Sequence, residues 1–226
     1  MEKLVIYQVF TRLFGANASK NVSNGTKKEN GCGKMADFTS AALAEIKKLG
    51  ATHIWYTGLI EHATKSDYTS YGIPKDHPAV VKGNAGSPYA IKDYCDIDPD
   101  LATKVPERMK EFERLVVRTH KAELKVIIDF VPNHVARQYH SDAKPEGVLD
   151  LGEDDDTTMS FNPHNNFYYL PGTTFSPSFS LYDEEMGDYV EKPAKVTGND
   201  CFTQWAGQND WYETVKLNYG VDYHNN

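Results

Sequence analysis

KVIIDFVPNH, Lys125–His134, is the stretch of the sequence that says most about the architecture. Its unbroken Val-Ile-Ile run predicts a short strand that is buried on both faces, as in a parallel sheet. Pro132 cannot donate to a sheet ladder, so we expect the strand to end before it. Asp129, Asn133 and His134 then gather at the carboxyl end of the strand, where α/β proteins place their functional groups. The alternative is a capped loop in which these side chains satisfy local backbone groups.

Further elements lie ahead of this stretch and alternate between strand and helix patterns. The order strand–helix–strand–helix–strand, with near-continuous apolar strands, favours a parallel α/β sheet with right-handed crossovers. The elements are a strand at Leu4–Phe10, a helix capped by Thr39 or Asp37 and ended by Gly50, a strand at His53–Thr57, a loop from Glu61 to about Thr103, and a helix with Pro106 in its first turn and Met109, Phe112, Leu115, Val116 and Thr119 on its buried face.

The pattern changes after His134. Residues 135–217 have no long helical period, and they contain an acidic run, Glu153–Asp156, and a turn signal at Pro171–Gly172. Short aromatic segments such as Phe167–Leu170 recur between these breaks. This composition indicates an irregular, β-containing insertion that leaves the sheet at its third strand.

Composition and charge exclude several classes of protein. The chain has 226 residues, a formal net charge of -8 and a pI near 5.5, whereas a nucleic-acid partner would require a basic surface. No segment approaches the roughly 20 apolar residues that cross a bilayer. The N-terminus shows no signal peptide, which predicts a cytoplasmic protein, or a secreted or periplasmic one if a leader has been removed. Cys32, Cys95 and Cys201 lack metal-ligand spacing and are interpreted as free thiols, with a single disulfide as the alternative.

Five stretches follow one another along the chain and are specific as a set. They are YQVFTRLF (Tyr7–Phe14), LGATHIWYTGLIEHA (Leu49–Ala63), SPYAIKDYCDIDPDLAT (Ser87–Thr103), DFVPNH (Asp129–His134) and NDWYETVKLNYGVDY (Asn209–Tyr223). Taken together and in this order, they resemble the alpha-amylase family, glycoside hydrolase family 13, over essentially the whole chain. In turn they resemble the family's first strand, its second strand, the loop with its active-site tyrosine, its first conserved region and the return from domain B towards strand four.

The resemblance implies an α/β fold, namely the N-terminal part of a (β/α)8 TIM barrel, about strands one to three. Domain B, irregular and β-containing, would be inserted after strand three. The implied divisions are residues 1–134 for the barrel part, 135–217 for the domain B-like insertion and 218–226 for the start of the return to the barrel. The implied activity is retaining hydrolysis of α-glucans such as starch and maltooligosaccharides.

The resemblance also implies roles for individual residues. Tyr89 would stack on the sugar at the point of cleavage, and His134 would hydrogen-bond the primary hydroxyl of that sugar. Asp129 would orient neighbouring groups and is not the nucleophile. Asn133 would be a calcium ligand through its hard oxygen. The alternatives are a half-buried loop tyrosine, a loop-capping imidazole and a carboxylate satisfied by backbone amides.

Two departures from the family pattern qualify these implications. Retaining glycosidases need two carboxylates about 5–5.5 Å apart, and the family carries its nucleophile and acid/base after strands four and five. No G-x-R-x-D stretch occurs here, so we expect these groups beyond the printed sequence and expect this chain alone to be inactive.

Lys216 stands where many relatives carry a calcium-binding aspartate. We expect its ammonium to point towards Asn133 and the site to hold no calcium; the alternative is an exposed surface lysine.

The expected partner is an α-glucan or oligosaccharide, with no nucleic acid and no membrane. Self-association is expected through open sheet edges beside strands one and three, because their backbone groups are unpaired. Two other functions stay open. One is a transglycosylase or isomerase of the same family, and the other is a non-catalytic carbohydrate-binding member.

Overall fold

The computed structural model describes residues 3–17 and 21–221, and these form two compact units. Unit 1 comprises Met1–His62, Ser66–Pro74 and Tyr94–Phe130. Unit 2 comprises Ala63–Lys65, Lys75–Asp93 and Val131–Asn226. Within these ranges, only the described residues are discussed. Of the predicted return at 218–226, residues 222–226 lie outside the described part.

Short strands outnumber helices in the described residues. Five 3-10 turns supplement them, at Met35–Asp37, Thr69–Tyr71, Pro78–Val80, Pro99–Leu101 and Val105–Glu107. In chain order the elements are β1 (Ile6–Phe10), α1 (Lys27–Asn30), α2 (Ser40–Lys48), β2 (His53–Thr57), β3 (Ile60–His62), β4 (Ile91–Ile97), α3 (Arg108–Lys121), β5 (Lys125–Ile128), β6 (His134–Ala136), β7 (Tyr169–Leu170), β8 (Tyr182–Asp183), β9 (Gly187–Asp188), β10 (Ala194–Lys195) and β11 (Thr214–Lys216).

The centre of unit 1 is a three-stranded parallel sheet in the order β1–β2–β5. Its register places Tyr7 beside Ile54, and Ile54 beside Val126. The predicted order strand–helix–strand–helix–strand is therefore confirmed, with α2 and α3 as the long connecting helices.

The prediction that the third strand is buried on both faces is wrong. Val126 packs against the core of unit 1, but Ile128 is 40% exposed, and Ile6 on the opposite edge strand is 51% exposed. Each edge strand pairs only with β2 in the described residues, so one side of its backbone and part of its side chains stay accessible. The apolar run predicted burial, but Ile6 and Ile128 lie on the two edge strands of the sheet and stay exposed.

The helices pack over one face of this sheet and are capped largely as the sequence predicts. The Thr39 side chain accepts a hydrogen bond from Ala42 N at 3.2 Å, and Gly50 follows α2 with φ 83°, a left-handed conformation that suits glycine. The apolar side chains they enclose form one core cluster, which includes Phe38, Leu43, Ile46, Ile54, Tyr56, Leu59, Leu115 and Leu124.

The second long helix differs in detail from its prediction. Pro106 lies in a 3-10 turn, and α3 begins at Arg108. Met109, predicted to be buried, is 41% exposed, whereas Glu111 is buried together with the predicted Leu115 and Thr119. The carboxylate of Glu111 accepts hydrogen bonds from Thr103 N at 2.9 Å and Lys104 N at 2.8 Å, which compensates for its burial.

Unit 2 is built from loops fastened by short antiparallel pairs, which agrees with the predicted irregular β character. β6 pairs with β11, β7 with β10, and β8 with β9. Two small apolar clusters support these pairs, one formed by Ala63, Val81, Ala90 and Ala136 and the other by Val80, Phe175, Ala194 and Ala206. Residues 75–93, in the predicted loop 61–103, pack in unit 2, and that loop also contains β3 and β4.

In the described part of the chain, each helix is too short or too polar to span a bilayer.

Candidate functional site

Unit 2 contains a pocket that brings together two of the predicted site residues. Its volume is about 300 Å³, and Tyr89 and His134 both line it. The Tyr89 ring is 44% exposed and available to a ligand, whereas His134 is buried. The pocket walls also include Trp211, Lys82 and Glu213.

A tight turn presents Tyr89 to the pocket. Ala90 N donates to Ser87 O at 3.0 Å, and Tyr89 N donates to the Ser87 hydroxyl at 3.3 Å. Because these bonds hold the backbone on both sides of Tyr89, the ring remains at the pocket wall without being packed into a core. An exposed aromatic face of this kind can stack on the apolar face of a sugar ring.

His134 is positioned by the pairing of β6 with β11. The register sets His134 opposite Lys216 and Ala136 opposite Thr214. Its ring lies against Trp211, with ring centroids 5.0 Å apart. His134 Nδ1 accepts a hydrogen bond from Asn133 Nδ2 at 3.0 Å, which leaves Nε2 as the protonated nitrogen of the neutral imidazole.

The pKa of His134 lies below its ordinary value. Burial is the main cause, because it disfavours the charged imidazolium, and the nearby Lys216 ammonium acts in the same direction. A hydrogen bond with the Tyr89 backbone opposes this shift without reversing it. His134 is therefore a neutral hydrogen-bonding group at neutral pH.

Asn133 and Lys216 meet as the sequence predicts. Lys216 Nζ lies 3.4 Å from Asn133 Oδ1 and 2.6 Å from Asp200 Oδ1. Asn133 Nδ2 also donates to Gly198 O at 2.8 Å. The orientation of the Asn133 amide is therefore fixed, because its nitrogen faces a carbonyl oxygen and its oxygen faces the Lys216 ammonium. The predicted orientation of Lys216 towards Asn133 is thus confirmed.

These side chains do not suit a calcium ion. Calcium takes six to eight oxygen ligands at about 2.3–2.6 Å. Here the oxygens of Asn133 and Asp200 both face the Lys216 ammonium, which already supplies a positive charge between them. A divalent cation at that point would have to displace the lysine and overcome its repulsion.

Asp129 belongs to unit 1 and directly follows β5. Its Oδ1 accepts a hydrogen bond from Trp55 Nε1 at 2.6 Å, and its Oδ2 accepts one from Gly58 N at 3.0 Å. Both partners lie in or just after β2, so the carboxylate joins the carboxyl ends of two neighbouring strands. One of these donors, Gly58 N, is a backbone amide, as in the alternative of a carboxylate satisfied by backbone amides, whereas the other is the indole N–H of Trp55.

Six residues that line the pocket were not predicted as site residues, namely Lys82, Ser87, Val131, Trp211, Glu213 and Thr214. Trp211 and Glu213 lie in the stretch NDWYETVKLNYG, which was interpreted only as a return segment, and Lys82 lies in a loop with no periodic pattern. An acidic residue beside two aromatic residues within a motif of the resemblance was the available signal for Glu213. No signal of that kind marks Lys82.

Comparison with known proteins identifies the family. The family model described as "Alpha amylase, catalytic domain" matches residues 8–211, which is most of the chain. Trehalose-6-phosphate hydrolase of Bacillus subtilis (strain 168) is 28% identical over 138 residues, covering 61% of this chain and 18% of that protein. A cyclomaltodextrin glucanotransferase of Bacillus sp. (strain 17-1) is 25% identical over 218 residues, covering 89% of this chain and 28% of that protein.

The chain is also similar to a solved structure. An alpha-amylase from Lactobacillus plantarum matches with a TM-score of 0.39 and 29% identity, covering 60% of this chain and 24% of that one. The chain thus spans less than a third of the length of each of these relatives. The alpha/beta sheet of unit 1 corresponds to a TIM-barrel-like part of the family's catalytic domain. The chain belongs to the alpha-amylase family of glycoside hydrolases.

Proposed function

We propose that the protein carrying this sequence acts on α-glucans, such as starch and maltooligosaccharides, by a retaining mechanism. The observation that carries the proposal is the pocket of about 300 Å³ lined by Tyr89, His134 and Trp211. In this assignment Tyr89 stacks on the sugar ring, and the neutral His134 hydrogen-bonds its primary hydroxyl. Aromatic faces beside a hydrogen-bonding group provide what a polyhydroxylated ring requires.

Asp129 has a positioning role in this proposal. Its two hydrogen bonds, from Trp55 and Gly58, occupy one lone pair on each carboxylate oxygen and hold the group rigidly. Each oxygen retains a second lone pair. We propose that Asp129 orients neighbouring active-site groups with this remaining capacity and is not the nucleophile.

The proposed domain organisation follows the family pattern. β1, β2 and β5 would be the first three strands of a (β/α)8 barrel, with residues 1–134 as the barrel part. Residues 135–217 would be domain B, inserted after the third strand, and 218–226 the start of the return. The parallel order of the three strands and the short antiparallel pairs of unit 2 support this arrangement.

We also propose that the 226 residues alone do not hydrolyse glucans. Hydrolysis with retention requires a nucleophile and an acid/base on opposite sides of the bond. The sequence contains no G-x-R-x-D stretch to supply the nucleophile at the family's position. Positioning of the sugar by Tyr89 and His134 would then give binding without turnover.

The site around Asn133 is proposed to be free of calcium, because the Lys216 ammonium replaces the cation. Calcium at millimolar concentration should shift the melting temperature by less than about 1 °C, since a ligand stabilises a protein only by binding it. Saturable calcium binding that is lost in Asn133→Ala would contradict this assignment.

The binding part of the proposal is tested by calorimetric titration of maltotriose. Tyr89→Ala should weaken binding by about tenfold or more, because it removes an aromatic stacking surface. Tyr182→Ala is the matched control, since Tyr182 is 59% exposed and lies outside this pocket. Equal losses in the two variants, or none in Tyr89→Ala, would reject the assignment of the pocket.

The catalytic part is tested on the protein carrying this sequence by proton NMR of the products. A retaining enzyme releases the α-anomer first, and appearance of the β-anomer first would reject retention. Binding without any turnover in that protein would favour the non-catalytic, carbohydrate-binding alternative.

A transferase of the same family is the second candidate, supported by the 89% coverage of this chain in the match to a cyclomaltodextrin glucanotransferase. It predicts longer or cyclic products from maltooligosaccharides rather than free reducing ends. Chromatography of the products separates the two activities.

A further inference from the structure

Three aromatic side chains of unit 2, none of which lines the pocket, are in contact with one another at the surface. The rings of Phe161 and Tyr168 are stacked with centroids 5.9 Å apart, and the Phe202 ring meets Tyr168 edge-on with centroids 5.8 Å apart. Phe161 is 41% exposed and Phe202 is 58% exposed. Single exposed apolar side chains are ordinary, whereas rings in mutual contact offer a continuous apolar surface to a ligand. Phe161, Tyr168 and Phe202 are called the aromatic platform below.

A carboxylate holds the backbone beneath the platform. Asp155 Oδ1 accepts a hydrogen bond from Asn166 N at 2.7 Å. Its Oδ2 accepts hydrogen bonds from Phe167 N at 3.0 Å and the Tyr169 hydroxyl at 2.9 Å. Phe167 and Tyr169 are both buried, so the backbone on either side of Tyr168 is held in place. A surface that is ordered before binding loses little conformational entropy when a ligand binds it.

A short segment connects the platform with the pocket. Asn199 Oδ1 accepts a hydrogen bond from the backbone N–H of Trp211 at 3.1 Å, and Trp211 lines the pocket. Phe202 follows Asn199 by three residues, so their Cα atoms are at most about 11 Å apart. The pocket, with a volume of about 300 Å³, is at the lower end of the range of ligand sites. A long oligosaccharide in the pocket therefore extends beyond it, and a few glucose units are enough to reach the platform.

The chemistry of the platform favours a neutral ligand. Its three side chains are two hydrocarbon rings and one phenol, which offer no charge to an ionic ligand. Asp200, the charged residue nearest to Phe202 in the sequence, is paired with Lys216, with Oδ1 and Nζ 2.6 Å apart, and its side chain is 60% exposed. A polyhydroxylated chain can place the apolar faces of its sugar rings on the platform and donate a hydroxyl group to this carboxylate.

We propose that the aromatic platform is a second sugar-binding surface, which holds the glucose units of an α-glucan that extend beyond the pocket. The inference rests on the proposed function, because the same glucan occupies the pocket. It predicts that affinity rises with the length of the oligosaccharide, and that this rise depends on the platform rings.

The test compares maltotriose with maltoheptaose by calorimetric titration of the 226-residue chain. Maltoheptaose should bind about tenfold more tightly, because only the longer sugar reaches the platform and stacks there. Phe202→Ala should reduce this difference to about twofold or less by weakening the binding of maltoheptaose. Phe202→Tyr keeps the aromatic face and should keep the difference.

Two further variants make the test independent of one substitution. Phe161→Ala removes another platform ring and should also narrow the difference. Tyr182→Ala is the matched control, because Tyr182 is an exposed aromatic residue of β8 outside the platform, and it should leave the difference unchanged.

Several results would overturn the inference. Equal affinity of the wild-type chain for the two sugars is one, and a tenfold difference that persists in both Phe161→Ala and Phe202→Ala is another. If light scattering shows a lower apparent mass in Phe202→Ala while its affinity for maltoheptaose is unchanged, the platform is a contact between copies of the chain. If maltotriose binds and Tyr89→Ala weakens that binding, these results reject this inference alone. If the folded chain binds neither sugar, the proposed function fails with it.

Discussion

At the scale of single residues, Arg137 is a fully buried side chain of unit 2 with several partners. It is 1% exposed, and its Nη1 donates to Glu191 Oε1 at 2.7 Å. Its Nε donates to Tyr212 O at 2.7 Å, its Nη2 donates to Thr214 O at 3.1 Å, and its guanidinium lies 3.9 Å from the centroid of the Phe175 ring. One side chain thus connects three separate segments of unit 2.

Replacement of Arg137 by methionine should lower the free energy of unfolding by about 3–5 kcal/mol, because the buried Glu191 would lose its nearer cation and keep only the Lys195 ammonium, 3.9 Å away. Urea unfolding followed by circular dichroism measures the change. Lys110→Met removes an exposed positive charge and should alter the free energy by less than about 0.5 kcal/mol. A loss below about 1 kcal/mol in Arg137→Met would show that the ion pair contributes little.

The depressed pKa of His134 predicts a pH dependence of stability. Because the folded protein binds this proton less readily than the unfolded chain, whose histidine titrates near pH 6.5, the unfolded state takes up more protons as the pH falls. Stability from the neutral His134 is present above that pH and is lost below it. The free energy of unfolding should therefore fall less between pH 7.5 and pH 5 in His134→Gln than in the wild type. If the free energy of unfolding depended on pH in the same way in the wild type and in His134→Gln, this prediction would be contradicted.

At the scale of elements, the sequence predicted the strands and helix caps that are marked by a local sequence pattern. β1, β2 and β5 are continuous apolar runs, and the cap at Thr39 is a short-range signal, so both are confirmed. β3 and β4 escaped prediction because Glu61, His62, Lys92, Asp93 and Asp96 give these strands a polar composition. Burial of such polar groups depends on partners that are distant in the sequence. The local pattern of apolar residues gives no information about these partners.

Asp129 illustrates how a strand end is stabilised by a neighbouring strand. Asp129→Asn should lower the free energy of unfolding by about 1–2 kcal/mol, because an amide has one acceptor oxygen for two donors, Trp55 Nε1 and Gly58 N. Thermal or urea unfolding measures this change in the free energy of unfolding. Asp154→Asn, in the exposed acidic run, is the control and should be neutral. Equal stability of both variants would remove the structural role assigned to Asp129.

At the scale of the whole molecule, the sequence identified those site residues that belong to recognisable motifs. Tyr89 and His134 were proposed from motifs and do line one pocket. Lys82 and Glu213 were not found, because they approach each other only through folding, across a long stretch of irregular chain. No characteristic sequence spacing identifies such a pair of residues, so only the three-dimensional structure reveals it.

The exposed sheet edges predict self-association of the 226-residue chain. β1 and β5 each pair with β2 alone among the described residues, so each leaves one row of backbone groups accessible. Light scattering should show an apparent mass that rises with concentration. Ile128→Lys places a charge on the β5 edge and should reduce the effect, whereas Val117→Lys, at an exposed position of α3, should not. A monomer at all concentrations would contradict this prediction.

The most direct test of the central claim is a crystal structure of the chain with maltotriose bound. The predicted result is a glucose ring stacked on Tyr89, with a hydroxyl group within hydrogen-bond distance of His134 and the sugar against Trp211. A sugar bound elsewhere, with the pocket of Tyr89 and His134 left to solvent, would contradict the assignment of this pocket as the sugar-binding site.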